Sequence, residues 1–133
     1  MDISIIIPCY NAIGKVETCI ASLLKIDYPI EKYEIIFIDD CSTDETFSYL
    51  EEQCTQYKNW RAIRLSKNTG SPSAPRNQGI ELSSGKYIFF LDCDDEIMDD
   101  TLSCNFEIAE KENADLVRGY LLVDDGNKRY PLN

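Results

Sequence analysis

Short β-branched runs alternate with helix-periodic segments from residue 3 to residue 112, and that alternation leaves few folds open. "ISIIIP" (3–8), "YEIIFIDD" (33–40) and "YIFFLD" (87–92) are nearly continuous apolar runs that end in Pro or Asp. Such runs suit parallel strands covered on both faces. "WRAIRLS" (60–66) fits a further strand. Between them, residues 13–25 set Val16, Ile20, Leu23 and Leu24 at helical spacing, and residues 44–56 do the same with Phe47, Leu50 and Cys54. Ser42 and Thr43 stand where helix caps would, followed by Asp44 and Glu45 to complement the dipole. "SAPRNQGIELS" (73–83) and "DTLSCNFEIAEKE" (100–112) read as two more helices. The order β-α-β-α-β-α-β-α predicts an α/β fold, a Rossmann-like three-layer α/β/α arrangement around a mostly parallel sheet. After Ala114, "DLVRGYLLV" (115–123), the turn "DDGN" and "KRYPL" predict a strand leading into a hairpin.

A chain of 133 residues is one domain's length. Thirteen basic against 24 acidic residues give a net charge of −11, which repels nucleic acid and anionic lipid. The chain has no His, so carboxylates are left as the candidate bases and metal ligands. A cation here is expected to be hard and oxygen-bound, Mg²⁺ or Mn²⁺ rather than Zn²⁺. The six cysteines are scattered and form no CxxC pair, which predicts reduced thiols and a cytoplasmic setting. Met1 is followed almost at once by a strand-like run, and no apolar stretch approaches a membrane span.

In an open parallel sheet, ligands bind at the carboxyl ends of the strands, near the point where the strand order reverses. Pro8, Cys9, Tyr10 and Asn11 follow the first strand, Asp39 and Asp40 end the second, and Asp92, Cys93, Asp94 and Asp95 end "IFFL". Three carboxylates within four residues repel one another and need a cation or an exposed loop. Side by side, these strands bring an aromatic ring, an acidic pair and an acidic cluster to one crevice. Tyr10 is then able to stack a base, Asp39 to accept hydrogen bonds from a base or ribose, and Asp92 with Asp94 to hold a divalent cation. Alternation along an extended strand would point Asp92 and Asp94 the same way and Cys93 inward. Taken singly, each piece also has a plain structural meaning, a turn, a helix cap or a packed aromatic, so the expectation rests on their coincidence at one edge. The glycines of the dinucleotide fingerprint and of the P-loop are absent. The first strand ends in Pro8 rather than the DxD of a phosphoaspartyl phosphatase, and the acids are not placed as in a response-regulator receiver.

In order along the chain, "ISIIIPCYN", "EIIFIDDCSTDET" and "NTGSPSAPRNQGIELSSGKYIFFLDCDD" resemble the N-terminal part of a family 2 glycosyltransferase with a GT-A fold. The likeness covers most of residues 3–100. It implies transfer of a sugar from a nucleotide-diphosphate donor, UDP-linked, to an acceptor hydroxyl with inversion, aided by Mg²⁺ or Mn²⁺. The implied nucleotide-sugar contacts are Pro8, Tyr10, Asp39, Asp40, Arg76 and Asp92, with Asp39 on the base and Asp92 near the ribose. The implied metal ligands are Asp92 and Asp94. Arg76 has a second reading as the salt-bridge partner of one of the carboxylates, and Asn77 and Gly79 are expected to serve helix packing.

Family members usually continue into an acceptor-binding half that supplies the general base. That segment is not found here, since Asp115, Asp124 and Asp125 come too early. The whole of residues 1–133 is therefore expected to be the donor-binding domain of a truncated enzyme, with exposed apolar surface where another half would pack. Its partners are a nucleotide-sugar and a carbohydrate or other hydroxyl acceptor. It is placed in the cytoplasm, with any inner-membrane attachment through a missing part. Two alternatives stay open: a non-catalytic nucleotide-diphosphate-binding module and a receiver-like regulatory domain.

Overall fold

The computed structural model describes residues 1–119 and 121–132. Strands β1 (Ile3–Cys9), β2 (Tyr33–Asp39), β3 (Trp60–Arg64) and β4 (Tyr87–Phe90) form one sheet in the order β3-β2-β1-β4, with every neighbouring pair parallel. The register sets Ile5 between Ile35 and Phe89. The chain therefore builds outward from β1 through β2 to β3, then crosses back to lay β4 on the other side of β1. The reversal leaves a crevice beyond the carboxyl ends of β1 and β4.

Helices α1 (Val16–Leu23), α2 (Thr46–Cys54), α3 (Ser73–Leu82) and α4 (Thr101–Glu112) cover the sheet. On one face Ile5, Ile7, Ile35 and Phe37 pack with Val16, Ile20 and Leu23 of α1, Leu50 of α2 and Leu102 of α4. On the other, Ile6, Ile36 and Ile38 pack with Leu82 of α3. Gly79 allows that approach, since a Cβ there would stand 2.4 Å from Ile6 Cγ2. The three-layer α/β/α arrangement expected from the alternation is thus present, and Gly79 serves packing as expected.

Several local expectations are corrected. The run at 87–92 is not covered on both faces. Strand β4 is a four-residue edge strand, and Ile88 and Phe90 remain 38% and 47% exposed on the face that α3 covers over β1. Leu24 lies past the end of α1 and is half exposed. Residues 115–119 form no strand; β5 (Leu121–Asp124) pairs antiparallel with β6 (Arg129–Leu132) in a separate ribbon. Ser42 and Thr43 make no cap hydrogen bond to α2. The carboxylate before that helix that engages it is Asp44, which accepts from Thr46 N–H at 2.9 Å.

At the amino edge of the sheet, Glu34 is nearly buried and fully engaged. Its Oε1 accepts from Ser4 Oγ, Ser84 N–H and Ser84 Oγ, each at 2.7 Å, while Arg61 Nη2 lies 3.4 Å from Oε2. Gly85 N–H donates to Ser4 Oγ at 2.8 Å, so this cluster ties the turn before β4 to the bottom of the sheet. Among the described residues, no helix is long and apolar enough to cross a membrane.

Candidate functional site

A cleft of about 390 Å³ opens at the carboxyl edge, between the turn after β1 and the turn after β4. Pro8 and Tyr10 come to it from β1, Asp40 from β2, Arg76 from α3, and Asp92 and Asp94 from the turn after β4. Six of the seven sequence-predicted site residues therefore meet in one place. Tyr10 is 48% exposed, with its ring available to a ligand. The backbone behind it is fixed: Asn11 takes a left-handed turn (φ 45°), its N–H donates to Ser42 Oγ at 2.9 Å, and its side chain accepts from Thr43 N–H at 2.8 Å. Ser42 and Thr43, expected as caps, thus brace the turn that presents Tyr10.

Asp39 is the seventh residue and does not line the cleft. Its carboxylate is fully buried, accepts from Ser42 N–H at 3.0 Å and from Ser42 Oγ, and lies 3.6 Å from Arg64 Nε. With its oxygens engaged by Ser42 and Arg64, Asp39 holds the loop after β2. Asp40, one residue on, faces the cleft. It accepts from Thr69 N–H at 3.0 Å and Thr69 Oγ1 at 2.9 Å, which pins the 68–72 loop against the site. Thr69 and Asn68, whose amide donates to the Asp40 carbonyl at 3.1 Å, belong to the glycine-containing stretch quoted for the resemblance. Nothing in their spacing announced this bracing role.

The acidic cluster forms by a different route from the expected one. Strand β4 ends at Phe90, and residues 92–95 make a turn closed by Asp95 N–H on the Asp92 carbonyl at 3.0 Å. That turn, not strand alternation, brings oxygens of Asp92, Asp94 and Asp95 within 4.8 Å of one another, all three side chains exposed. Asp95 thereby joins the pair. Partial burial, then the charges of Asp94 and Asp92, raise its carboxyl above the usual range. Cys93 does turn inward, as expected, against Cys9. The hydrogen bond with Cys93 and its own burial push the Cys9 thiol well up, and burial pushes Cys19 up to about 12, so neither offers a thiolate to a cation at neutral pH. All six cysteines are free. An exposed set of three oxygen donors with no His fits a hard divalent cation such as Mg²⁺ or Mn²⁺.

Arg76 takes the salt-bridge reading: Nη2 lies 2.6 Å from Asp92 Oδ1, and the guanidinium sits over the Phe90 ring at 5.8 Å from its centre.

This fold is that of GT-A glycosyltransferases. The structure of Staphylococcus aureus TarS in complex with UDP-GlcNAc matches it with a TM-score of 0.81 at 32% identity, over 86% of this chain and 33% of that one. The model of glycosyl transferase family 2 matches residues 4–131, and the chain belongs to that family. Among its relatives, the poly(ribitol-phosphate) beta-glucosyltransferase of Bacillus spizizenii is 38% identical over 91% of this chain, and the poly(ribitol-phosphate) beta-N-acetylglucosaminyltransferase TarP of S. aureus is 34% identical over 97%. The chain spans 19% and 39% of the lengths of those two relatives.

Proposed function

We propose that these 133 residues form the donor-binding part of a glycosyltransferase that moves a sugar from a UDP-linked donor to a hydroxyl of a cell-wall-type polyol phosphate or polysaccharide, with inversion and in the cytoplasm. The observation that carries the reading is the convergence of Tyr10, Asp40 and the Asp92–Asp94–Asp95 turn on one cleft at the strand-order reversal. The UDP-GlcNAc complex of TarS and the polyribitol phosphate transferases among the relatives support the donor and acceptor classes.

In this reading Tyr10 stacks on the uracil, and Asp40, held in place by Thr69, accepts from the base or ribose. Asp92 and Asp94 hold the cation, with Asp95 adjoining them. The cation, when bound, neutralises charge on the departing diphosphate. The attack of the acceptor needs a general base. Asp124 and Asp125 are not offered for that role. Asp124 is held by Arg129 Nε at 2.8 Å, and Asp125 accepts from Asn127 and Lys128 N–H groups at 2.9 and 3.0 Å. The base is assigned to a part of the enzyme outside this domain.

The test compares Asp94→Ala with Asp124→Ala by titrating UDP in the presence of Mn²⁺. Loss of a ligand carboxylate should weaken metal-dependent UDP binding by roughly a hundredfold, reasoning from the 10–100-fold cost of losing even outer-shell support. Asp124→Ala should leave it unchanged. Equal effects would sink the metal assignment.

A further inference from the structure

We propose that Arg76 is a placeholder cation on Asp92, occupying that carboxylate until a metal–nucleoside diphosphate arrives, so that the metal binds weakly alone and tightly together with the diphosphate. The inference rests on the donor-site reading and adds an order of binding to it. Three observations lead there. First, Arg76 Nη2 sits 2.6 Å from Asp92 Oδ1, on a carboxylate that the incoming cation needs. Second, the two side chains are 34% and 51% exposed. An ion pair at such a wet rim is weak, because water screens it and holding two side chains in one geometry costs entropy, so it is easily exchanged. Third, Arg76 Nε is buried without a hydrogen-bond partner. The pose that holds Asp92 therefore leaves one guanidinium donor unspent, and a rotation that releases Asp92 also lets Nε find an acceptor.

The exchange balances in charge. With Arg76 in place, the three-acid turn carries one positive neighbour, and a lone divalent cation must both displace it and face its repulsion. A diphosphate changes both conditions at once, because its oxygens are the planar, anionic acceptors a guanidinium fork prefers. As Arg76 moves to the phosphate, Asp92 is released to the metal. Metal and diphosphate then strengthen each other's binding by the same factor, as linkage requires. The ring of Phe90 beneath the guanidinium supplies a platform on which it pivots.

The test measures Mn²⁺ affinity by electron paramagnetic resonance on the 133-residue chain, without nucleotide and then with UDP, for the wild type and Arg76→Met. Methionine keeps an unbranched apolar stem over Phe90 and removes the charge. Mn²⁺ alone should bind Arg76→Met about three- to tenfold more tightly, the range set by one rim ion pair plus one repulsive charge. The tightening of Mn²⁺ binding that UDP brings should shrink in the same variant. Arg76→Lys, which keeps the charge, should bind Mn²⁺ alone as the wild type does. Mn²⁺ affinity that is unchanged, weakened or undetectable in Arg76→Met overturns the proposal. An equal rise in Lys15→Met also overturns it, since Lys15 lines the same cleft and would report bulk charge rather than pairing. The Mn²⁺-alone arm judges the placeholder, whereas UDP binding by the wild type with and without Mn²⁺ judges the donor-site reading.

Discussion

The parallel sheet carries the Glu34 carboxylate at its amino edge and a cluster of three at its carboxyl edge, and the two ends are built in opposite ways. At the amino edge, Glu34 meets three donors from Ser4 and Ser84 and the charge of Arg61. Burial pushes its carboxyl up, but those hydrogen bonds and that charge outweigh it and hold it below the usual range. At the carboxyl edge, Asp92, Asp94 and Asp95 crowd together, and Asp95 is pushed the other way, by partial burial and by its own neighbours. A carboxylate whose acceptor sites are filled by the chain stabilises the fold, whereas crowded carboxylates oppose one another's charge. Asp39 and Asp40 are both buried and held by the chain's own donors, the first by Ser42 and the second by Thr69, and of the two Asp40 lines the cleft.

The comparison is most easily broken at Glu34. Glu34→Ala should cost about 2–3 kcal/mol in urea unfolding, because it strands the donors of Ser4, Ser84 and Arg61, while leaving UDP binding in the folded fraction intact. The lowered carboxyl sets a pH direction as well. Its stabilisation is fully present above the ordinary glutamate range and is lost as pH falls from about 4.5 through the lower folded value. Unfolding curves of the wild type between pH 6 and 3 should show that loss, and those of Glu34→Ala should show a smaller one. A variant that loses stability and nucleotide affinity together, per folded molecule, would mean that the two ends are not independent.

At the other edge the effects should fall on binding. Tyr10→Ala should weaken UDP by roughly 1–3 kcal/mol, the range for a base stacked on an aromatic ring. Calorimetry that finds no change would return Tyr10 to a packing role. Asp95→Asn should raise the stability of the metal-free chain slightly, by about 0.5 kcal/mol, since it relieves repulsion at an exposed site where water screens most of it. A loss of stability in thermal unfolding would mean that the turn depends on the Asp95 charge.

Much of this is legible in the sequence, and each difference has its own physical cause. The order of elements followed from the spacing of β-branched runs and apolar helix faces, which report burial directly. Strand β4 was overrated because an apolar run does not say whether its strand is central or at an edge, and Phe90 is at an edge. The partners of Asp39 and Asp40 are not legible in their order along the chain, since Ser42 and Thr69 lie 3 and 29 residues away. The turn at residues 92–95 is not visible in the sequence because "LDCDD" offers no Gly or Pro to mark where extension stops. Ser42 and Thr43 passed for caps because the same residue types serve turns and helix starts alike.

The most direct measurement is calorimetric titration of the 133-residue chain with UDP, with and without Mn²⁺. Binding that requires Mn²⁺ is the result this account predicts. Equal binding without the metal, or none from a chain shown to be folded, would contradict the claim that the acidic turn and the Tyr10 cleft form one donor site.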